Sequence, residues 1–320
     1  MMRARDCLQP WLLRAVRATL FWGVMTANAA VAQPDNTHLQ LELGFGHETQ
    51  TSPLFQISPD STVIYQAGQQ SLAGAHFRTN LQGSAEWRWR EGVSSTVSAA
   101  ISIKQAPQAP GMEMRSLAIN PAVHLPLGRT SMGLGLDLQT IDVGGQAFRQ
   151  IRGLQWDWTR HNGRSLWALI ANVSQYRHPG ELQELDAHAT SLVMMGQLSD
   201  PLPGIDAIHL SAIAGREINA NGYDDLSQHS RMLSLSVHGT LAGLHWTLGR
   251  SWRRATFDGT LFPGEPVRDD QATMTDVGVA WSLSTRQHLR LEASHMRNAS
   301  STPLYDNRHL QYSLSLLTTF

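Results

Sequence analysis

The chain has 320 residues, 25 basic and 26 acidic, for a formal net charge of −1, and only 16% of its residues are charged. This balance, with no basic run, argues against nucleic acid as a partner. Cys7 is the only cysteine, so nothing downstream can form a disulfide, a cysteine-based metal site or a thiol nucleophile.

At the N-terminus, Arg3, Arg5, Arg14 and Arg17 precede a mostly apolar stretch from Ala18 to Ala32. The stretch ends in the small-x-small step Ala30-Val31-Ala32 before Gln33. This pattern predicts a secretory signal peptide over residues 1–32, cleaved between Ala32 and Gln33, and a mature chain of residues 33–320. The apolar core is too short to serve comfortably as an uncleaved anchor. Cys7 lies before that core and so cannot be a lipidated cysteine. Removing four arginines and one aspartate leaves 21 basic and 25 acidic residues, a net charge near −4. No later segment has the 18 consecutive apolar residues of a spanning helix.

Beyond Gln33 the hydrophobic period is two almost throughout, the mark of strands with unlike faces. Val97, Ala99, Ile101 and Ile103 alternate with Ser98, Ala100, Ser102 and Lys104. Leu233, Leu235, Val237 and Leu241 alternate with Ser234, Ser236, His238 and Thr240. The pattern predicts fourteen strands, over about 37–47, 73–90, 93–104, 114–127, 130–143, 146–161, 164–177, 186–199, 205–218, 229–241, 244–258, 270–284, 288–300 and 306–320. Short turns are expected at Glu91-Gly92, Gly128-Arg129, Asn162-Gly163, Asp200 to Gly204, Ala242-Gly243 and Thr285 to Gln287. They alternate with mostly longer, more polar connections. These are Glu48 to Ser71, Gln105 to Glu113, Gly144-Gly145, His178 to Leu185, Asn219 to Gln228, Gly259 to Asp269 and Ser301 to Tyr305. Without a hairpin at Gly144-Gly145 the count falls to twelve. An even number of strands, with short turns at one end and longer loops at the other, predicts an all-β fold. The expected form is a transmembrane antiparallel up-and-down barrel of about 14 strands, bacterial outer-membrane type, in the cell outer membrane with both termini in the periplasm.

Tryptophan placement gives a separate expectation. Trp87 and Trp89 precede the first short turn, Trp156 and Trp158 precede Asn162-Gly163, and Trp167 follows it. Trp246 follows Ala242-Gly243, Trp281 precedes Thr285, and only Trp252 sits farther away. Such clustering predicts an aromatic belt at one membrane interface, where an apolar ring and an indole N–H are both satisfied. In the last strand Leu310, Tyr312, Leu314, Leu316, Thr318 and the terminal Phe320 share one parity. That pattern resembles the closing-strand signal read by the barrel assembly machinery, an expected partner together with outer-membrane lipid.

The run Asn298-Ala299-Ser300-Ser301-Thr302-Pro303-Leu304-Tyr305-Asp306-Asn307-Arg308 resembles the last loop and strand of the C-terminal barrel of the surface lipoprotein assembly modifiers. In that family an Asn/Ser run leads to a Leu-Tyr-Asp step and an Arg. The resemblance implies a 14-stranded barrel and a role in moving lipoproteins or other cargo to the cell surface. The family carries a periplasmic tetratricopeptide domain before its barrel. Here strand one follows Ala32 almost directly, so cargo capture would fall to a separate periplasmic partner or be absent. Similar last hairpins end exopolysaccharide-export proteins, which leaves a polysaccharide-export barrel, and equally a passive porin-like channel, as alternatives.

An outer-membrane lipid hydrolase is a further alternative. Such hydrolases use a His-x-Ser pair, and His209-Leu210-Ser211 has that spacing, but they follow Ser with Asn and this chain has Ala212. A plain strand also puts His209 and Ser211 on one face. His178, His188 and His229 fall in or near the longer loops and could ligate a metal. Asp224-Asp225 and Asp269-Asp270 could hold Ca²⁺, although loop carboxylates are usually just solvated. The expectation is a protein with no catalytic site, no metal and no cofactor.

Overall fold

Fourteen antiparallel strands follow one another in a computed structural model that describes residues 34–57, 63–89, 92–108, 112–260 and 264–320. They are β1 (Asn36–Ile57), β2 (Val63–Arg88), β3 (Ser94–Gln105), β4 (Met114–Leu127), β5 (Thr130–Val143), β6 (Gln146–Asn162) and β7 (Ser165–Arg177). Then come β8 (Ala187–Leu202), β9 (Ile205–Asn219), β10 (Gln228–Leu241), β11 (Leu244–Phe257), β12 (Asp269–Ser282), β13 (Gln287–Ser300) and β14 (Asn307–Thr319). Each strand pairs with its neighbours in the chain, and β1 pairs with β14 from Gln40↔Thr319 to Thr51↔Arg308, so the sheet closes into a barrel without an edge. The expected cleavage residues Ala30, Ala32 and Gln33 lie outside the described residues.

The strand count and most boundaries agree with the sequence reading. Gly144 and Gly145, with φ of 57° and 79°, form a two-residue hairpin between Val143 and Gln146. Both positions need left-handed backbone, which glycine adopts without strain. Fourteen strands, not twelve, therefore result.

One expectation is corrected. Glu48 to Ser71 is not a long loop: β1 and β2 stay paired through Ile57↔Val63, with one irregularity between Pro53 and Phe55. The segment lacks strict apolar/polar alternation while keeping β-forming residues such as Thr49, Thr51 and Val63, so a period-2 search misses it.

The register fixes which side chains share a face. Glu42↔Asn80 and Asn80↔Ser102 continue strand by strand to Ser315↔Gly44, defining one inward row. The opposite parity points outward. At the loop end the connections dock on one another. Asn219 Nδ2 donates to the Glu184 carbonyl, Ala220 N–H to Asp186, Gly259 N–H to Asp224, and Ser301 N–H to Asp269.

Candidate functional site: the barrel wall and its lumen

The outward face is apolar and bare. Leu39, Leu43, Phe45, Leu81, Leu134 and Leu154 are each between 37% and 54% exposed. The buried apolar side chains among the described residues are five alanines and Phe257. A soluble sandwich needs the reverse, because it must bury its large apolar groups. Trp87, Trp89, Trp156, Trp158, Trp167, Trp246 and Trp281 all have outward parity and lie near the short turns. A closed barrel with an apolar outer band and an interfacial aromatic belt satisfies every backbone group inside hydrocarbon. The chain is an outer-membrane β-barrel. Its short turns and both ends of the described chain share one rim.

A second outward ring bounds the apolar band. Trp252 and the arginines Arg177, Arg216, Arg231, Arg254, Arg297 and Arg308 have outward parity toward the loop rim. On β7, β10 and β14 the arginine lies ten residues from an outward residue at the turn rim: Trp167, Leu241 and Thr318. That interval matches the 9–11 residues with which a tilted strand crosses hydrocarbon. Trp252, the tryptophan outside the belt, is thus the aromatic of the opposite interface.

The inward face carries polar side chains bonded in rungs, with apolar members such as Ile170, Val193, Ile213 and Met232 among them on β7 to β10. Asn80 donates to Glu42 (2.8 Å) and accepts from Ser102 (2.6 Å), and Asn120 donates to Asp137 (2.9 Å). Toward the loop rim Glu48 is 2% exposed and His76 fully buried. Glu48 is ion-paired with Lys104, the chain's one lysine, and lies 3.0 Å from His309 Nε2 across the β1/β14 seam. Gly46 makes room for this cluster, since a Cβ there would sit 2.7 Å from the His76 ring. Sequence reasoning missed the cluster because its members come from β1, β2, β3 and β14.

His209 and Ser211 do share a face, but it is the luminal one. Ser211 Oγ lies 2.6 Å from Ser234 Oγ, while His209 stacks edge-on to His238 at 4.8 Å between centroids. With Met195, Gln197 and Ser236 these residues line a small recess in the wall. Ser236 Oγ is 3.1 Å from His238 Nε2, and His238 Nδ1 is 3.1 Å from Thr247 Oγ1. This Ser-x-His pair has hydrogen-bonding reach, but a hydroxyl rather than a carboxylate orients the imidazole. Its one sequence signal was same-parity spacing.

The closing hairpin is held by its own hydrogen bonds. Asn298 Nδ2 donates to the Tyr305 carbonyl (2.9 Å), Ser300 N–H to Asp306 Oδ1 (2.6 Å), and Pro303–Tyr305 forms a 3₁₀ turn. The Tyr305 ring stacks under Arg268, 3.2 Å from its guanidinium carbon, and Arg268 is bidentate to Asp270. Leu304 is half-buried within the turn, and Arg308 leaves it for the outer wall.

The suspected metal ligands stay apart. His178 accepts from Arg149 Nε (2.9 Å) and approaches Asp186 (3.5 Å); burial and then the Arg149 charge hold its imidazole below the usual pKa, favouring the neutral ring. His229 faces Asp258 at 3.6 Å, and His188 has outward parity on β8. No group of three or more ligand-type side chains gathers among the described residues. Asp269 and Asp270 are not a Ca²⁺ pair, because Arg254 and Arg268 neutralise one each and alternation sends them to opposite faces.

In overall form the barrel is similar to several solved structures. One is OmpTdeltaL8, a loop deletion mutant of OmpT of Vibrio cholerae, with 7% identity, TM-score 0.47, and coverage of 89% of this chain and 100% of that one. Another is an anion-selective porin from Comamonas acidovorans, with 10% identity, TM-score 0.46, and coverage of 89% and 100%. A third is a bacterial polysaccharide outer membrane secretin, with 9% identity, TM-score 0.47, and coverage of 90% and 100%. At such identities and scores these likenesses bear on neither substrate nor activity. No protein-family model and no curated protein matches the chain.

Proposed function

We propose that this barrel is a conduit for polar cargo across the outer membrane and that it acts without covalent chemistry. The observation that carries the reading is the inward row of hydroxyls, amides, imidazoles and paired charges, such as Asn80, Asn120, Ser211 and Arg290 with Glu292. Such groups exchange hydrogen bonds with a passing solute, which keeps desolvation cheap. The absence of a carboxylate behind His238, and the inward direction of His209 and Ser211, speak against lipid hydrolysis. Porin-like diffusion and polysaccharide export share this conduit and differ in cargo.

A second reading, delivery of lipoproteins to the surface with a separate periplasmic chain or the lipoprotein as partner, is favoured by the closing hairpin. Its Ser300, Tyr305 and Asp306 are fixed in a hydrogen-bonded turn at the loop rim. The decisive experiment is conductance of the purified, folded barrel in planar bilayers. The conduit predicts discrete steps that scale with salt. A folded barrel that inserts but stays electrically silent overturns open diffusion and shifts weight to the second reading. Surface labelling of lipoproteins in cells without the chain then tests that reading.

A further inference from the structure

We infer that the outer wall between β8 and β11 binds a phosphorylated outer-leaflet lipid of the lipid A type, its phosphate held between Arg231 and Arg254. These arginines sit directly opposite each other in the β10/β11 register, both outward and both exposed. Like charges so placed repel and destabilise a sheet unless an anion lies between them. Arg254 is paired with Asp269 through its Nε and Nη2, which leaves only its Nη1 side open. Arg231 makes no hydrogen bond or ion pair among the described residues, which leaves one positive charge unanswered. Asp269 is the single carboxylate on the outward face of β10, β11 and β12. The pairing is not isolated: Arg297 faces Arg308 in the same way across β13 and β14.

The depth suits a headgroup, and the wall below it suits an acyl chain. Arg231 lies at the hydrocarbon boundary, ten residues from Leu241. β9 presents the small side chain Ala214 directly opposite Arg231 and, one step below, Ala212 between the bulkier Met194 and Leu233, with Trp252 beyond, lining a groove of about 600 Å³. A phosphate monoester suits the pair, with the unpartnered Arg231 fork able to bind it in bidentate fashion and Arg254 adding the side of its guanidinium that Asp269 does not occupy. A lipid whose phosphate sits at the outer interface and whose chains run down the wall meets both halves of the feature at once.

The test uses the full barrel, extracted in mild detergent and titrated with lipid A while native mass spectrometry counts bound lipid. Wild-type protein should keep lipid A, and Arg231→Gln with Arg254→Gln should weaken retention on the order of tenfold. Arg290→Gln, which faces the lumen on β13 paired with Glu292, should change little. Wild-type protein should also prefer lipid A to its dephosphorylated form, and millimolar inorganic phosphate should not displace it. Equal binding of the dephosphorylated lipid overturns phosphate recognition. Equal loss in Arg290→Gln reduces the effect to general charge, and displacement by inorganic phosphate removes the lipid from the proposal. Heat-modifiability checks the fold of each variant. If the double variant fails it, the comparison of the two lipids on wild-type protein still decides.

Discussion

Leu235 and Ser236 are consecutive residues that face different solvents. Leu235 is 41% exposed on the outer wall, opposite Arg250 on β11 and Leu210 on β9. Ser236 lies in the luminal recess beside His209. An arginine on the lipid face at midplane costs about 2–4 kcal/mol, because its charge loses water and finds no partner. Arg250, at the same height, shows how one such group is accommodated: its guanidinium lies 5.4 Å from the Trp252 ring centroid, toward the loop rim. A second arginine directly opposite has no second ring and meets a like charge. Leu235→Arg should therefore destabilise the barrel by at least about 2 kcal/mol in liposome unfolding titrations. Ser236→Arg, which keeps its hydration, should cost less than about 1 kcal/mol. Equal losses would mean that both faces are dry.

The element on which closure depends is β14. Its outward residues Leu310, Tyr312, Leu314 and Leu316 meet lipid, and its backbone must pair with β13 and β1 together. The last bond of the seam runs from Phe320 N–H to the Leu39 carbonyl, 2.9 Å. Deleting Phe320 removes that bond and the terminal aromatic that resembles an assembly signal. The heat-modifiable, membrane-inserted form should fall sharply on gels of outer-membrane fractions, and normal levels would refute the role assigned to this strand. Strands β3 to β14 were legible in the sequence because each places unlike residues toward lipid and lumen. The distal halves of β1 and β2 were not legible, because their sequence does not keep the period of two, although the two strands stay paired there. The closing hairpin was legible as a motif, but its local purpose was not. Arg268, whose stacking fixes Tyr305, arrives from the preceding loop, 37 residues away.

Across the whole molecule the outer surface has a direction. Tryptophans ring the turn rim, and exposed arginines ring the loop rim. The sequence revealed the first ring, since each tryptophan stands next to a recognisable turn. It concealed the second, because Arg231, Arg254, Arg297 and Arg308 align only once the register is known. The same holds for Glu48 and His309, which meet across the seam although 261 residues separate them. An anionic outer leaflet favours arginine, and short periplasmic turns need only span adjacent strands, so both features orient the loop rim toward the outside. The connection after β7, with its 3₁₀ turn Gly180–Leu185, should then lie on the cell surface, and Asn162, next to a two-residue turn, in the periplasm. An epitope inserted at Gln183 should be labelled on intact cells. One at Asn162 should be labelled only after the outer membrane is permeabilised. Ser58 in the first hairpin, the other natural choice for the outer tag, lies outside the described residues. Labelling of Asn162 on intact cells with Gln183 protected would invert the barrel. It would put the tryptophan ring in the outer leaflet and the arginines at the periplasmic interface, where lipid A is absent, and the lipid site proposed at Arg231 would fall with it.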